Sequence, residues 1–303
     1  MKAPGFWTRQ GSVAPLLLSP VAALYAAATA RRVARPGWRA PVPVICCGNA
    51  SVGGAGKTPL ALDLGDRLAT HGLAVAFLTR GYGGRVRSPV LVDLARHDAA
   101  TVGDEALLLA ASAPTYVGPD RAEAARMAVA AGAQVLVMDD GLQHASLMKD
   151  FSFLVIDGAV GFGNGRVIPA GPLREPVAAA AGRCRAAVLI GTDAAGARAQ
   201  LPNRLPVLAA SLAPGPDAAS LAAQRVIAFA GIGRPEKFFA MLREAGIVVA
   251  ACHGFADHHP YSERELRPLL ASLRAAVRVV GVRLVWRDES QIEALLGEVR
   301  RSA

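Results

Sequence analysis

Short apolar runs recur along the chain, separated by longer stretches in which apolar positions return every three or four residues. Val42–Cys47, Leu73–Leu78, Thr115–Val117, Val135–Met138, Phe153–Ile156 and Ala187–Ile190 read as strands, and Lys57–Thr70, Asp104–Ala113 and Arg121–Ala131 as helices. This alternation predicts an α/β fold, a mostly parallel sheet with helices on both faces. Near Leu212–Ser220 the composition turns to Ala, Pro, Gly and Asp, the mark of a linker. Beyond it Arg225–Ala230, Ile247–Cys252 and Val277–Trp286 read as strands with helices between them, a smaller second α/β unit. The predicted division is residues 1–40, 41–212 and 221–303. No internal repeat or long low-complexity tract interrupts it.

The first apolar run opens onto Ser51-Val52-Gly53-Gly54-Ala55-Gly56-Lys57-Thr58, and Pro59 follows inside the predicted helix. Strand, Gly-rich loop, Lys-Thr and helix form the layout of a phosphate-binding loop. Glycines let backbone N–H groups turn onto phosphate oxygens, and the helix N-terminus adds partial positive charge. Lys57 can reach the β- and γ-phosphates, and the Thr58 hydroxyl can hold Mg²⁺. The strict pattern has Gly where Ser51 stands. A Gly-rich turn before an ordinary helix is the bland alternative, which the flanking elements disfavour. The chain is therefore expected to bind a nucleoside triphosphate.

Ligands of such sheets bind at the carboxyl ends of the strands, so carboxylates there matter. Val135–Met138 ends in Asp139-Asp140, which reads as a Walker B pair, one of the two holding Mg²⁺ directly or through water. Phe153–Ile156 ends in Asp157 and looks similar; the paired carboxylates favour the first. Asp104 follows Gly103 at the head of an apolar helix, either as a cap or as a general base. Asp257-His258-His259 concentrates histidines in one loop and fits a proton relay better than zinc, for which no third ligand shows recognisable spacing. Arg80-Gly-Tyr82-Gly-Gly and the long Gly/Pro stretch 158–176, with Asn164, are further candidate ligand loops.

At 303 residues and 52% hydrophobic, the chain has ample material for a core and is not a disordered one. The net charge of +9 favours anionic partners, while aromatic residues at 5% and without basic interleaving disfavour nucleic acid. Four cysteines without metal spacing suit a reducing compartment. The segment Ser12–Ala30 is almost wholly apolar and is followed by Arg31, Arg32, Arg35 and Arg39. Lys2, Arg9 and Ala28-Thr29-Ala30 would fit a cleaved signal, which would export an ATP-binding protein away from ATP. Pro15 and Pro20 interrupt a spanning helix, and a buried core helix is the plain alternative. An interfacial helix lying on the cytoplasmic leaflet, clamped by the arginines, fits best.

Taken together, Gly48-Asn49, Gly53-Gly-Ala-Gly-Lys-Thr-Pro59, Arg80-Gly-Tyr-Gly, Gly103-Asp-Glu, Asp139-Asp-Gly-Leu-Gln-His144, Pro169-Ala-Gly-Pro-Leu-Arg-Glu-Pro and Phe255-Ala-Asp-His-His-Pro-Tyr261 resemble, in order, the tetraacyldisaccharide 4′-kinases of lipid A synthesis. The resemblance implies a membrane-associated kinase that moves the γ-phosphate of ATP to the 4′-hydroxyl of a tetraacyl glucosamine disaccharide 1-phosphate lipid. It implies ATP at Ser51–Thr58, Mg²⁺ at Thr58 and Asp139, a catalytic pair of Asp104 and His258, and substrate contacts from Arg80, Tyr82, His144 and Asn164. The departures are that neither the family's Thr-Glu-Lys-Asp segment nor its helix before the last strand is found after Tyr261, which shortens the second unit, and that Leu142 replaces the commoner Phe. The rivals are a P-loop GTPase or metallochaperone-type ATPase, and a non-catalytic ATP-binding membrane adaptor.

Overall fold

A computed structural model describes residues 4–7, 13–221, 224–259, 261–273 and 280–303. Lys2, Arg9, Ser12, Pro260 and positions 277–279 of the expected last strand lie outside them. The chain forms two compact units, one of Met1–Ala210 with Trp286–Ala303 and one of Ser211–Val285.

The strands are β1 (Val44–Gly48), β2 (Val75–Thr79), β3 (Val90–Leu91), β4 (Thr115–Val117), β5 (Val135–Asp139), β6 (Phe151–Asp157), β7 (Ala186–Ile190), β8 (Val207–Pro214), β9 (Arg225–Ala230), β10 (Val248–Gly254) and β11 (Val282–Trp286). The large sheet runs β11-β8-β7-β6-β1-β5-β2-β4-β3. From β8 to β4 every neighbouring pair is parallel, and β3 pairs antiparallel with β4. Strands β1, β2, β5 and β7 are buried at every position, as expected of a sheet covered on both faces. Helix Lys57–Thr70 packs so closely on this sheet that a Cβ at Gly65 would lie 2.4 Å from the Phe77 ring. The sheet is thus a rigid platform whose β1, β5 and β2 ends lie side by side.

The apolar amino-terminal segment forms two helices, Ala14–Leu17 and Ser19–Val33. Pro15 and Pro20 each sit in a first turn, where a missing N–H is harmless, so they start helices instead of interrupting one. At 15 residues the longer helix spans about 22 Å, short of the roughly 30 Å of a bilayer core. Among the described residues no helix is long and apolar enough to cross a membrane.

The second unit holds a parallel β9–β10 pair with helices Pro235–Glu244 and Glu263–Leu273. Ala218, Leu221, Ala228, Ala230, Phe239, Leu242 and Ile247 form its core. Its extent differs from the expected 221–303, because the segment from Trp286 onward belongs with the first unit. Helix Glu289–Ser302 buries Ile292, Leu296 and Val299, one face of a helix. Arg67 on helix Lys57–Thr70 pairs with Glu289 and Glu293 at 2.7 and 2.9 Å, and the Trp286 indole donates to Asp63 at 2.9 Å.

Candidate active site

The phosphate-binding loop leaves the carboxyl end of β1 and enters helix Lys57–Thr70. Gly53 (φ 108°) and Gly56 (φ 94°) take the positive-φ conformations that let the loop curl, which side chains with a Cβ adopt only with strain. Lys57 is buried; its Nζ donates to the Gly53 carbonyl at 3.5 Å and lies 3.9 Å from Asp140. The Thr58 hydroxyl donates to Asp139 Oδ2 at 2.8 Å. The other Asp139 oxygen, Oδ1, is buried without a hydrogen-bond partner. Burial, and then the nearby Glu105 carboxylate, pushes Asp139 from the ordinary 3.8 up to about 7. A buried, unanswered carboxylate oxygen beside a Thr hydroxyl is the donor set a hard cation takes up. Asp157, the rival strand-end carboxylate, accepts from the Ala159 N–H in the turn after β6.

Neighbouring segments hold the loop's first arm. Arg174 N donates to Ala50 O at 2.7 Å, Val52 N to Pro172 O at 2.9 Å, and Gln143 Nε2 to Asn49 O at 2.9 Å. The Asn49 amide donates to Gly53 O at 3.3 Å. Arg174 also grips Asp140 with both terminal nitrogens, at 2.8 and 3.1 Å. Burial works against the Asp140 charge, yet Lys57 and Arg174 hold it below the usual carboxylate range. Behind this pair the buried Glu175 accepts from Arg183 at 2.7 and 2.8 Å and from Gln143 at 2.7 Å. Gln143, Arg174 and Glu175 stand in the sequence motifs without a predicted task. Asp140 and Arg174 are 34 positions apart, so no spacing rule could pair them.

Arg80, Tyr82 and the following glycines leave the end of β2. This turn and Gly103 meet backbone to backbone: a Cβ on Gly103 (φ 86°) would lie 2.6 Å from the Tyr82 carbonyl. Gly103 is the N-cap, so Asp104 takes the first helical position, where its Oδ1 accepts from the Glu105 N–H at 3.0 Å. Arg80 and Tyr82 are exposed, whereas Arg121 nearby is buried with its Nε unpaired. Burial, with Arg80 adding to it, lowers the Arg121 guanidinium to about 10.

His144 has its ring nitrogens engaged, Nε2 with Pro119 O at 3.1 Å and Nδ1 with Ser146 N at 3.3 Å, which makes Nε2 the protonated one. Burial and Arg121 hold it below its ordinary pKa, neutral at pH 7. The Asn164 side chain is committed to its own loop and the amino-terminal turn, accepting from Arg166 N at 3.1 Å and donating to Ala170 O at 2.9 Å and Phe6 O at 3.1 Å.

His258 belongs to the second unit. Its backbone has φ 57°, its N–H donates to Gly231 O at 2.9 Å, and Nε2 lies 3.8 Å from Asp257. Beside it Phe255 stacks on His259 at 4.9 Å, and Tyr261 meets both edge-on.

The chain is similar to known proteins. A family model described as LpxK, tetraacyldisaccharide-1-P 4'-kinase, matches residues 14–281. The tetraacyldisaccharide 4'-kinase of Gluconacetobacter diazotrophicus is 56% identical over 318 aligned residues, covering 98% of this chain and 97% of that protein. The protein of the same name from Rhodospirillum rubrum is 49% identical, covering 98% and 97%. The crystal structure of LpxK from Aquifex aeolicus in complex with ATP matches with a TM-score of 0.73 at 26% identity, covering 94% of this chain and 99% of that one. By the span of the family model and the identity to these relatives, the chain belongs to the tetraacyldisaccharide-1-P 4'-kinase family.

Proposed function

We infer that the protein is an ATP-dependent kinase of lipid A synthesis, acting on the 4′-hydroxyl of a tetraacyl glucosamine disaccharide 1-phosphate. The observation that carries this reading is the Lys57–Thr58–Asp139 cluster at the mouth of a glycine loop, in a chain of this family. The backbone of Ser51, Val52, Gly53, Gly54, Ala55 and Gly56 wraps the phosphates. Lys57 turns from Gly53 O to the β- and γ-phosphates. Thr58 and Asp139 would hold Mg²⁺, which would supply charge neutralisation on the transferring group. Arg174 keeps Asp140 in place beside Lys57, so the lysine is not drawn wholly into one ion pair.

Asp104 takes the 4′-hydroxyl proton as the new O–P bond forms and the bond to the β-phosphate oxygen breaks, releasing ADP; His258 tunes this base. Arg80 and Arg121 give the acceptor side a positive field suited to a phosphorylated lipid. Tyr82 offers a sugar-facing hydroxyl, His144 holds the 119–146 turn pair in shape, and Asn164 shapes the loop against which the disaccharide lies.

The helix Ser19–Val33 leaves Val21 and Leu24 exposed, with Leu17 just before it on the same spacing, and Arg31, Arg32 and Arg35 follow. This suits an anchor lying in the anionic cytoplasmic face of the inner membrane. Incubation with ATP and the disaccharide 1-phosphate lipid tests the whole reading, with a bis-phosphorylated lipid and one ADP per transfer expected. ADP without lipid phosphorylation would make the protein a switch-type ATPase, and ATP binding without turnover an adaptor.

A further inference from the structure

The apolar amino-terminal helix is fastened at both ends to loops that also hold the nucleotide site. At its leading end, the turn Gly5–Trp7 lies on the 163–170 loop. Trp7 Nε1 donates to Pro169 O at 3.1 Å, Asn164 N donates to Trp7 O at 2.8 Å, and Asn164 Nδ2 donates to Phe6 O. Arg166 donates to the Ser19 hydroxyl at 3.0 Å, and that hydroxyl donates to Pro15 O at 2.8 Å. At the trailing end, Trp38 N donates to Ser146 O at 2.7 Å and Met148 N to Trp38 O at 2.9 Å. The approach there is so close that a Cβ on Gly37 would lie 2.3 Å from Ala145 O.

Both loops continue within a few residues into the site. The first becomes Pro172–Arg174, which hydrogen-bonds Val52 and Ala50 and grips Asp140. The second descends from Asp139–Gln143. A membrane that seats the exposed apolar face of this helix acts on the same hydrogen bonds that set the arm of the phosphate-binding loop. A lipid surface can shift nucleotide affinity only where contacts differ between the seated and the free state, and these hydrogen bonds are the route from the helix to the loop.

We propose that the amino-terminal anchor braces the phosphate-binding loop, with Trp7 as a positioning residue, so that seating on a lipid surface tightens nucleotide binding before any acceptor is bound. The inference rests on the proposed interfacial seating of the helix, and its test separates the two.

Full-length wild type and Trp7→Phe, which keeps an aromatic ring but loses the indole N–H donor, are compared for binding of a fluorescent ATP analogue with Mg²⁺ and no acceptor lipid. Each is measured in solution and on vesicles of phosphatidylglycerol and phosphatidylethanolamine, with sedimentation read on the same samples. The wild type should bind the analogue more tightly on vesicles. Trp7→Phe should bind it roughly three- to tenfold more weakly, the worth of one hydrogen bond, lose the vesicle response, and sediment as the wild type does. Ser19→Ala, which removes the Arg166 acceptor, should move affinity the same way by less.

Equal analogue affinity of the wild type and Trp7→Phe in both conditions overturns the proposal. So does a loss of sedimentation in step with affinity, which would make Trp7 a membrane contact. If the wild type itself does not sediment, the interfacial reading fails along with the vesicle response, whereas a fall in solution affinity in Trp7→Phe would still support the brace within the fold.

Discussion

Around the phosphate-binding loop the charged groups are wholly or partly buried and, one Asp139 oxygen apart, answered by partners, whereas the turn that carries Arg80 and Tyr82 stands in solvent. Asp139 is 1% exposed and Tyr82 65%. The two regions lie at the ends of adjacent strands of one sheet, so the contrast comes from their tasks and not from their support. Phosphoryl transfer asks the protein for fixed charge at fixed distances, which a dry, hydrogen-bonded setting supplies without reorganisation at the moment of reaction. A bulky lipid acceptor needs an open approach, and an exposed turn held backbone to backbone against Gly103 combines access with a fixed base. If this division is real, changes on the buried side should strike turnover and stability, and changes on the open side should strike acceptor binding.

The largest effect should come from Lys57→Ala, with turnover falling at least about a hundredfold in steady-state assays. Near-normal turnover in a folded variant would remove the loop from the mechanism and erase the contrast. Next come Asp104→Ala and His258→Ala, each expected to lower kcat by about a hundredfold or more with ATP affinity nearly intact. If they act as one unit, the double variant should be little worse than the worse single one. Losses that multiply would mean independent roles.

A smaller, pH-dependent effect is expected at Asp139. In the metal-free folded chain it keeps a proton between 3.8 and about 7 that the unfolded chain has released. Its contribution to stability is therefore full below 3.8 and is lost as pH rises to about 7. Asp139→Asn, which cannot ionise, should melt above the wild type in chelator at pH 8 by an amount of order a few kcal/mol, and the gap should shrink as pH falls towards 4. Mg²⁺ with ATP should narrow the gap at pH 8 by stabilising only the wild type. A gap independent of pH would mean that burial of the charge is not what sets Asp139 apart. The smallest effect is reserved for Tyr82→Ala: stability within about 0.5 kcal/mol of wild type, an unchanged KM for ATP and a raised KM for the lipid. A raised KM for ATP instead would show that the open side serves the donor.

Most of the parallel sheet was legible because a strand buried on both faces is a continuous apolar run, as β1, β5 and β7 are. Helix Lys57–Thr70 was legible to the residue, since a glycine and an apolar stripe bound it. Strand β8 was not: Val207–Pro214 is rich in Ala and closes on Pro, a composition that reads as approach to a linker, and pairing with β7 decides in favour of strand. The two-residue β3 is too short to carry a period. In the site, the glycine loop and the paired aspartates announced themselves because their chemistry depends on adjacency in sequence. The Arg174–Asp140 grip, the buried Glu175 and the unanswered Asp139 oxygen depend on the fold bringing distant residues together, and no local pattern records that.

The return of Trp286 and helix Glu289–Ser302 to the first unit bears on how the protein is made. The helix that carries Lys57 and Thr58 is held at its far end by Arg67 through Glu289 and Glu293, and by the Trp286 indole on Asp63. During synthesis, residues 57–70 emerge long before 286–303, and the whole second unit is made in between. Domains tend to fold as they appear. Here the first unit can assemble its sheet early but has to wait for residues 286–303 to leave the ribosome before its nucleotide helix is closed in. Premature truncation anywhere after Ala210 would therefore leave a sheet of nearly complete sequence with an unbraced helix, a species for a protease to find before it finds ATP.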